Sequence, residues 1–170
     1  MLKVERVPSG IPGLDDMISG GIPKGRVVLI VGGPGTGKTI MSAQFLVAGI
    51  KKHNERGLFI TLDESRDQLI RELGALGWDI PALEKEGKWA FTDISPTPKT
   101  EGKTKPGRLT MGKREFSLET TIENVKAGVR SFGAKRLALD TITSLVFQYP
   151  DIIQRRSVIL ELVGACLLYT

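Results

Sequence analysis

Short apolar runs alternate with longer amphipathic stretches along the chain. The apolar runs are rich in Val, Ile, Leu and Phe, and such runs predict β-strands. They cover residues 26–31, 57–62, 89–94 and 136–140. Helical spacing of apolar residues follows at 39–52, 66–76, 118–132 and roughly 153–163. This alternation predicts an α/β fold with a mostly parallel sheet flanked by helices.

The predicted helix at 66–76 has clear signals at both ends. Ser65 precedes it and Gln68 follows three residues later, which is the spacing of a capping box. Gly77 lies just beyond its last residue, where glycine commonly ends a helix. Because Ser65 supplies the cap, the acidic pair Asp63 and Glu64 before it is available for another role.

Composition fits a single domain over residues 1–170. Hydrophobic residues make up 41% of the 170 residues, enough for a substantial core. Cys166 is the single cysteine, which excludes an internal disulfide and fits a reducing cytoplasm. No signal-peptide pattern opens the chain and no apolar stretch is long enough to cross a bilayer, so we expect a cytoplasmic protein without membrane contact.

A basic segment at 95–115, rich in Pro, Gly, Thr and Lys, interrupts the pattern and predicts a surface loop. The net charge of +5 for the whole chain equals the net charge of residues 96–114 alone. Nucleic acid is a possible partner of such a loop, but the segment lacks the aromatic residues that stack on single-stranded bases. Contact with a neighbouring subunit or an acidic protein is an equally good interpretation, so nucleic-acid binding is not favoured.

The sequence GGPGTGKT at 32–39 lies between the first predicted strand and a helix. It matches the phosphate-binding pattern G-x-x-x-x-G-K-[ST], in which glycines let several backbone N–H groups point at phosphate oxygens. The pattern predicts phosphate and Mg²⁺ binding, with Lys38 reaching the β- and γ-phosphates of a nucleotide and Thr39 binding the metal. The predicted nucleotide-binding residues are Gly33, Pro34, Gly35, Thr36, Gly37, Lys38, Thr39 and Ile40.

A second metal-binding residue is predicted at the end of the strand 136–140. Asp140 follows an apolar run about a hundred residues after the glycine loop, which is typical of a carboxylate that holds Mg²⁺ through water. Thr141 and Ser144 come next, and the sequence leaves open whether they position water or phosphate or cap the following turn.

Several segments resemble KaiC-like ATPases of the RecA superfamily. The similar segments are 9–25, 76–79, 84–96 and 137–163, in the family's order around the glycine loop. The resemblance implies a RecA-type core, ATP hydrolysis, and a homo-oligomer, usually a hexameric ring with nucleotide between subunits.

The resemblance also implies that carboxylates at the end of the second strand activate the attacking water. The matching positions are Asp63 and Glu64, where the family usually has two glutamates. Asp63 occupies the position that aligns with the general base, and its side chain is one methylene shorter. Either Glu64 acts as the base or hydrolysis is slow, because misplacement by about 1 Å costs on the order of 100-fold in rate.

The family's sheet has a further strand between the glycine-loop strand and the strand that ends at Asp140. Residues 164–170 are either that strand or an irregular end, and in both cases the family's later strands are absent. We therefore expect a regulatory or signalling ATPase, with Lys38, Asp63 and Glu64 in hydrolysis. The alternatives are a nucleotide-gated oligomeric module with little turnover and a DNA-dependent recombination or repair ATPase. Protein phosphorylation is known in the family, but the sequence identifies no acceptor residue.

Overall fold

The computed structural model describes residues 4–94 and 117–169. Five strands lie in these ranges: β1 (Arg6–Val7), β2 (Ile22–Pro23), β3 (Gly57–Thr61), β4 (Trp89–Asp93) and β5 (Arg136–Asp140). The helices are α1 (Leu14–Met17), α2 (Lys38–His53), α3 (Arg66–Ala75), α4 (Ile80–Lys85), α5 (Leu118–Phe132), α6 (Thr143–Val146) and α7 (Ile152–Tyr169). The predicted basic loop at 95–115 falls outside the described residues.

The main sheet has three parallel strands in the order β4-β3-β5. Thr61, the last residue of β3, lies opposite Asp93 on one side and Asp140 on the other. Every residue of β3 is buried, as expected for a central strand with helices on both faces. The predicted α/β fold with a parallel sheet is therefore confirmed.

Alternate residues of β3 pack into two different hydrophobic cores. Phe59 packs with residues of α2, α3 and α4 on one face, together with Trp89 of β4. Leu58 and Ile60 pack with α5 and α7 on the other face. Side chains of a strand alternate between the faces of a sheet, so one apolar run fills both cores.

The helix start predicted at Ser65 agrees with the structure. The Ser65 hydroxyl accepts a hydrogen bond from the Gln68 backbone N–H, at 3.4 Å, and begins α3. Gln68 does not complete the reciprocal bond of a capping box, since its side-chain amide donates to Glu72. Gly77 has a φ of 79°, so glycine suits the turn that follows α3.

Two predictions about the sheet are wrong. Residues 26–31 form no strand, and their apolar side chains are largely exposed, including Val31 at 84%. Residues 164–169 form neither a strand nor an irregular end, because α7 continues through Tyr169. Gly164 does not stop this helix, since an interior glycine costs only about 1 kcal/mol. No described residue therefore lies as a strand beside the free edge of β5.

A buried arginine connects the N-terminal segment to the main sheet. Arg136, at the start of β5, is 2% exposed. Its Nε donates to Glu55 Oε2 at 2.5 Å, and its Nη1 donates to the backbone oxygens of Pro8 at 2.8 Å and Phe45 at 2.9 Å. The guanidinium also lies over the Phe45 ring, 4.5 Å from its centroid. One side chain thus joins β5, α2 and the segment before α1.

Candidate functional site

The glycine loop at 32–39 leads directly into α2. Gly35 and Gly37 have φ values of 75° and 86°, which side chains other than glycine rarely adopt, and Gly37 is the residue before the first turn of α2. No protein atom lies within 4 Å of a Cβ built at either glycine. The loop therefore leaves open space at a helix N-terminus, where backbone N–H groups favour an anion.

The side chains of the loop make bonds within it. Thr36 Oγ1 donates to the backbone oxygen of Gly33 at 2.9 Å, and Lys38 Nζ donates to the same oxygen at 2.7 Å. Lys38 thus lies across its own loop. Its ammonium group is in position to move to a phosphate that enters the loop, because the carbonyl is a neutral acceptor and the phosphate a charged one.

Asp140 lies beside the start of α2, as the sequence predicts. Burial raises the pKa of Asp140 above its ordinary value, and the neighbouring Thr39 side chain and the positive charge of Lys38 offset only part of that rise. Both residues of the glycine loop therefore lie close to the Asp140 carboxylate. The two motifs that lie about a hundred residues apart in the sequence therefore form one site.

Asp63 and Glu64 have different environments although they are adjacent. Asp63 is exposed, whereas Glu64 is half-buried and its Oε2 has no hydrogen-bond partner among the described residues. Burial raises the pKa of Glu64, and the negative charges of Glu72, Asp140 and Asp63 raise it further. Glu64 therefore lies within reach of the charge of Asp140.

Thr61 helps to position this acidic pair. The sequence had not pointed to Thr61 as a site residue. Its side chain is buried, and Thr61 Oγ1 accepts a hydrogen bond from the Glu64 backbone N–H at 3.0 Å. Its backbone oxygen accepts from Ile94 N–H at 3.0 Å. The one polar residue inside the apolar run 57–62 is the signal that would have found it.

The remaining predicted residues lie near the site in different ways. Ile40 is in the first turn of α2 and is 44% exposed. Thr141 Oγ1 donates to Thr143 Oγ1 at 2.6 Å and accepts from the Thr143 backbone N–H at 3.1 Å, so Thr141 caps the next turn. Ser144 Oγ is buried and has no partner among the residues that the structure describes.

The donors around Asp140 fit a magnesium ion. Thr39 and Asp140 offer hydroxyl and carboxylate oxygens, which are hard ligands of the kind Mg²⁺ prefers. Within residues 4–94 and 117–169, no group of three or more His, Cys, Asp and Glu side chains could enclose a metal. Mg²⁺ usually keeps several waters and takes one or two protein ligands together with phosphate oxygens.

A glycine loop at a helix N-terminus, with a strand-end aspartate beside its lysine and threonine, defines a P-loop nucleotide-binding domain. A family model described as "ATPase: KaiC" matches residues 7–166, so the chain belongs to the KaiC family of ATPases. The resemblance seen in the sequence is confirmed.

Individual relatives agree with this assignment. The "Circadian clock protein KaiC3" of Synechocystis sp. is 37% identical over 162 residues, which are 95% of this chain and 30% of the relative. The "Circadian clock oscillator protein KaiC" of Nostoc sp. is 38% identical over 161 residues, again 95% of this chain and 29% of the relative. The chain thus spans about 30% of the length of these curated relatives.

A solved structure supports the fold directly. The KaiC-like protein PH0186 of Pyrococcus horikoshii matches with a TM-score of 0.78 and 36% identity. The match covers 98% of this chain and 67% of that chain. Among the described residues, no helix is both long enough and apolar enough to cross a membrane.

Proposed function

We propose that this protein hydrolyses ATP to ADP and phosphate with Mg²⁺. The supporting observation is the position of Asp140 beside the glycine loop, where the Thr39 side chain and the charge of Lys38 both favour its ionised form. Lys38 and the loop N–H groups would bind the phosphates, and Thr39 and Asp140 would hold Mg²⁺, Asp140 through water. The metal, when bound, neutralises charge on the transferred phosphoryl group.

Glu64 is our candidate for the base that orients and deprotonates the attacking water. Glu64 is half-buried, and the negative charge of Asp140 helps to raise its pKa. The raised pKa lies closer to neutral pH than the pKa of an ordinary carboxyl group. A base is most effective when its pKa is near the working pH. Asp63 is exposed and one methylene shorter, so its contribution would be to the electrostatics of Glu64.

Single-site variants separate these roles. Phosphate release from ATP with MgCl₂ should fall by about 100-fold or more in Glu64→Gln, which is the usual loss for a general base, while ATP binding is retained. Asp63→Asn should change the rate by only a few fold. Lys38→Ala should weaken ATP binding itself. Glu123→Gln, on the exposed face of α5, makes the same chemical change away from the site and is the matched control.

Two results would contradict this assignment. A larger loss in Asp63→Asn than in Glu64→Gln would transfer the base role to Asp63. Absence of phosphate release by the wild type, together with absence of ATP binding, would refute an ATPase altogether.

The second candidate is a nucleotide-gated module that binds ATP and turns it over slowly. It is favoured by the bond from Lys38 to its own loop and by the exposed run 26–31 that leads into that loop. Both features leave the phosphate site without rigid support. Tight binding of a fluorescent ATP analogue with negligible phosphate release would support this module against the ATPase.

Regulatory work and self-association are part of the same proposal. The relatives in Synechocystis sp. and Nostoc sp. are named as circadian clock proteins, which supports a regulatory or signalling role. Exposed apolar residues on α7 and just before it supply a surface for a homo-oligomer, and they include Phe147, Ile152 and Ile153. Light scattering with and without ATP and Mg²⁺ would detect assembly, and a DNA titration at low salt would test the less favoured nucleic-acid partner.

A further inference from the structure

The central strand β3 ends in a polar residue, Thr61, after four residues without a polar side chain. Thr61 is 1% exposed, so its hydroxyl is removed from bulk water. A buried hydroxyl costs free energy unless it makes a hydrogen bond. Valine has nearly the same volume and no hydroxyl. Packing alone therefore does not require threonine at this position.

The Thr61 side chain lies on the face of the sheet that carries the glycine loop. Phe59 and Ala138 belong to the core formed with α2. Side chains two residues further along a strand return to the same face. Thr61 and Asp140, which lie opposite each other in register, therefore both face α2, the helix that begins at Lys38. Since neighbouring strands are about 5 Å apart, the Thr61 hydroxyl lies in the row of side chains next to the Asp140 carboxylate.

The chain turns directly after β3, and Thr61 fixes this turn. Thr61 Oγ1 accepts a hydrogen bond from the Glu64 backbone N–H at 3.0 Å. A hydroxyl that accepts from a backbone N–H three residues later is a local turn that threonine and serine favour. The same spacing follows at once, because Ser65 Oγ accepts from the Gln68 N–H at 3.4 Å where α3 begins. Glu64 is therefore held between two such turns.

The first turn has a different effect on each of the two acidic residues. The hydrogen bond to Thr61 fixes the backbone of Glu64. Glu64 is half-buried, and its buried Oε2 has no hydrogen-bond partner among the described residues. Asp63, inside the turn, is exposed. A carboxylate oxygen without a partner keeps its lone pairs for a water molecule or a proton. The turn thus holds Glu64, and not Asp63, with a buried free acceptor.

We propose that Thr61 is a positioning residue that selects Glu64, and not Asp63, as the base for ATP hydrolysis. The inference rests on the proposed function, because it concerns the step in which the base acts. In that step the water oxygen bonds to the γ-phosphorus, the water proton passes to Glu64, and the bond from the phosphorus to the ADP oxygen breaks. Thr61 touches none of the reacting atoms and acts through the backbone of Glu64.

The hydrogen bond from Glu64 to Thr61 should affect turnover and not ATP binding. Misplacement of a catalytic group by about 1 Å costs on the order of 100-fold in rate. One hydrogen bond that fixes a turn is therefore enough to change kcat. Binding of the phosphates is assigned to Lys38 and the loop N–H groups, which do not take part in this bond. The effect on KM for ATP should be small.

Two substitutions separate the hydroxyl from the shape of the side chain. Thr61→Val removes the acceptor and retains the branched side chain, whereas Thr61→Ser retains the acceptor. Thr61→Val should lower kcat for phosphate release by about tenfold or more, with KM for ATP within about twofold of the wild type. Thr61→Ser should keep kcat within about threefold of the wild type. A role in packing alone predicts the reverse order, because serine leaves the larger cavity, and that order would overturn the proposal.

Thr121→Val is the matched control. Thr121 is also 1% exposed, and its Oγ1 donates to the backbone oxygen of Ser117 at 2.9 Å. It lies on α5, which packs on the opposite face of the sheet. This variant loses an equally buried hydroxyl and its hydrogen bond, so kcat should stay within about twofold of the wild type. Urea unfolding of all three variants sets a temperature at which each is folded for the kinetic comparison.

A double-mutant cycle tests the selection of the base. Glu64→Gln should lower kcat by about 100-fold in the wild type. In a Thr61→Val background, where the turn no longer fixes Glu64, the same substitution should lower kcat by only about tenfold. Equal losses in the two backgrounds would overturn the proposal, because a contribution of Thr61 to folding alone gives no coupling with Glu64.

Amide hydrogen exchange measured by NMR tests the hydrogen bond without nucleotide. The Glu64 amide should exchange about fivefold faster or more in Thr61→Val and close to the wild-type rate in Thr61→Ser. The Leu62 N–H donates to the Asp140 backbone oxygen at 3.0 Å and is the internal reference, with the same rate in each protein. Equal exchange of the Glu64 amide in all three proteins would overturn the proposal.

Failure of this proposal is distinguishable from failure of the proposed function. Absence of phosphate release by the wild type would refute ATP hydrolysis, and the role of Thr61 in it, whatever the exchange rate of the Glu64 amide. Phosphate release with the same kcat in the wild type and in Thr61→Val would refute the role of Thr61 alone and leave the ATPase intact.

Discussion

Gly49 lies on the face of α2 that contacts Arg136, and Gly49→Ala tests how firmly that arginine is held. Alanine in a helix is normally more favourable than glycine by about 1 kcal/mol. Here a Cβ at position 49 would overlap Arg136 Nε, and it would lie 2.5 Å from Arg136 Cδ. The outcome depends on whether the guanidinium can move aside.

The contacts of Arg136 indicate that it cannot move at low cost. Its side chain is 1% exposed and is paired with Glu55. Two further hydrogen bonds hold Nη1 against the backbone of Pro8 and Phe45. Breaking a buried ion pair costs about 3–5 kcal/mol. After subtraction of the helix gain, we expect Gly49→Ala to lower the free energy of unfolding by about 2–4 kcal/mol.

Gly74→Ala is the matched control. Gly74 is an exposed residue of α3, and no atom lies within 4 Å of a Cβ built there. This substitution should therefore raise the free energy of unfolding by about 0.5–1 kcal/mol. Urea unfolding followed by tryptophan fluorescence measures both variants, because Trp89 is buried beside Phe59 with ring centroids 5.9 Å apart.

The free energy of unfolding should fall in Gly49→Ala and rise in Gly74→Ala. Equal stabilisation in both variants would refute the argument that Arg136 is fixed. In an Arg136→Ala background, which lacks the overlapping atoms, Gly49→Ala should no longer destabilise the protein. The difference between the two backgrounds should be about 2 kcal/mol or more, as expected for residues in direct contact.

Three further predictions concern charge and capping. The folded state raises the pKa of Glu64 above its ordinary value of 4.5, so ionisation of Glu64 lowers the stability of the protein as the pH rises through the raised pKa. Glu64→Gln should therefore have a higher melting temperature than the wild type at pH 8 but not at pH 4. An equal difference at both pH values would contradict this. Lys24→Met breaks an exposed ion pair with Glu5, at 2.7 Å, and should cost less than about 1 kcal/mol in urea unfolding, so a larger loss would show that the pair is not solvated. Ser65→Ala removes the cap on the Gln68 N–H and should cost about 1 kcal/mol, whereas Ser65→Asn should retain most of the stability.

Local sequence pattern predicted most of the regular structure. The strands β3, β4 and β5 and the helices α2, α3 and α5 were predicted to within one or two residues, because each combines an apolar pattern with a clear cap or turn. Residues 26–31 have an equally strong pattern and form no strand. A strand requires a neighbour for its backbone groups, and the pattern within one segment contains no information about whether that neighbour is present.

The sequence named candidate site residues but not their geometry. Composition and spacing indicated Lys38, Thr39 and Asp140, which the structure brings to one edge of the sheet. The sequence could not distinguish Asp63 from Glu64, because their burial depends on Thr61 and on charges contributed by other elements. The assignment of Glu64 as the base remains a prediction until the two variants are compared.

The hydrogen bond from Arg136 to Pro8 constrains the order in which the protein folds. It joins residues 128 positions apart, so Pro8 leaves the ribosome long before its partner is synthesised. Loops of this length close slowly compared with local helices. The segment before α1 should therefore dock last in refolding. Once the segment is docked, Ser9 is buried, so amide exchange near Ser9 and Gly10 would report the final step of folding.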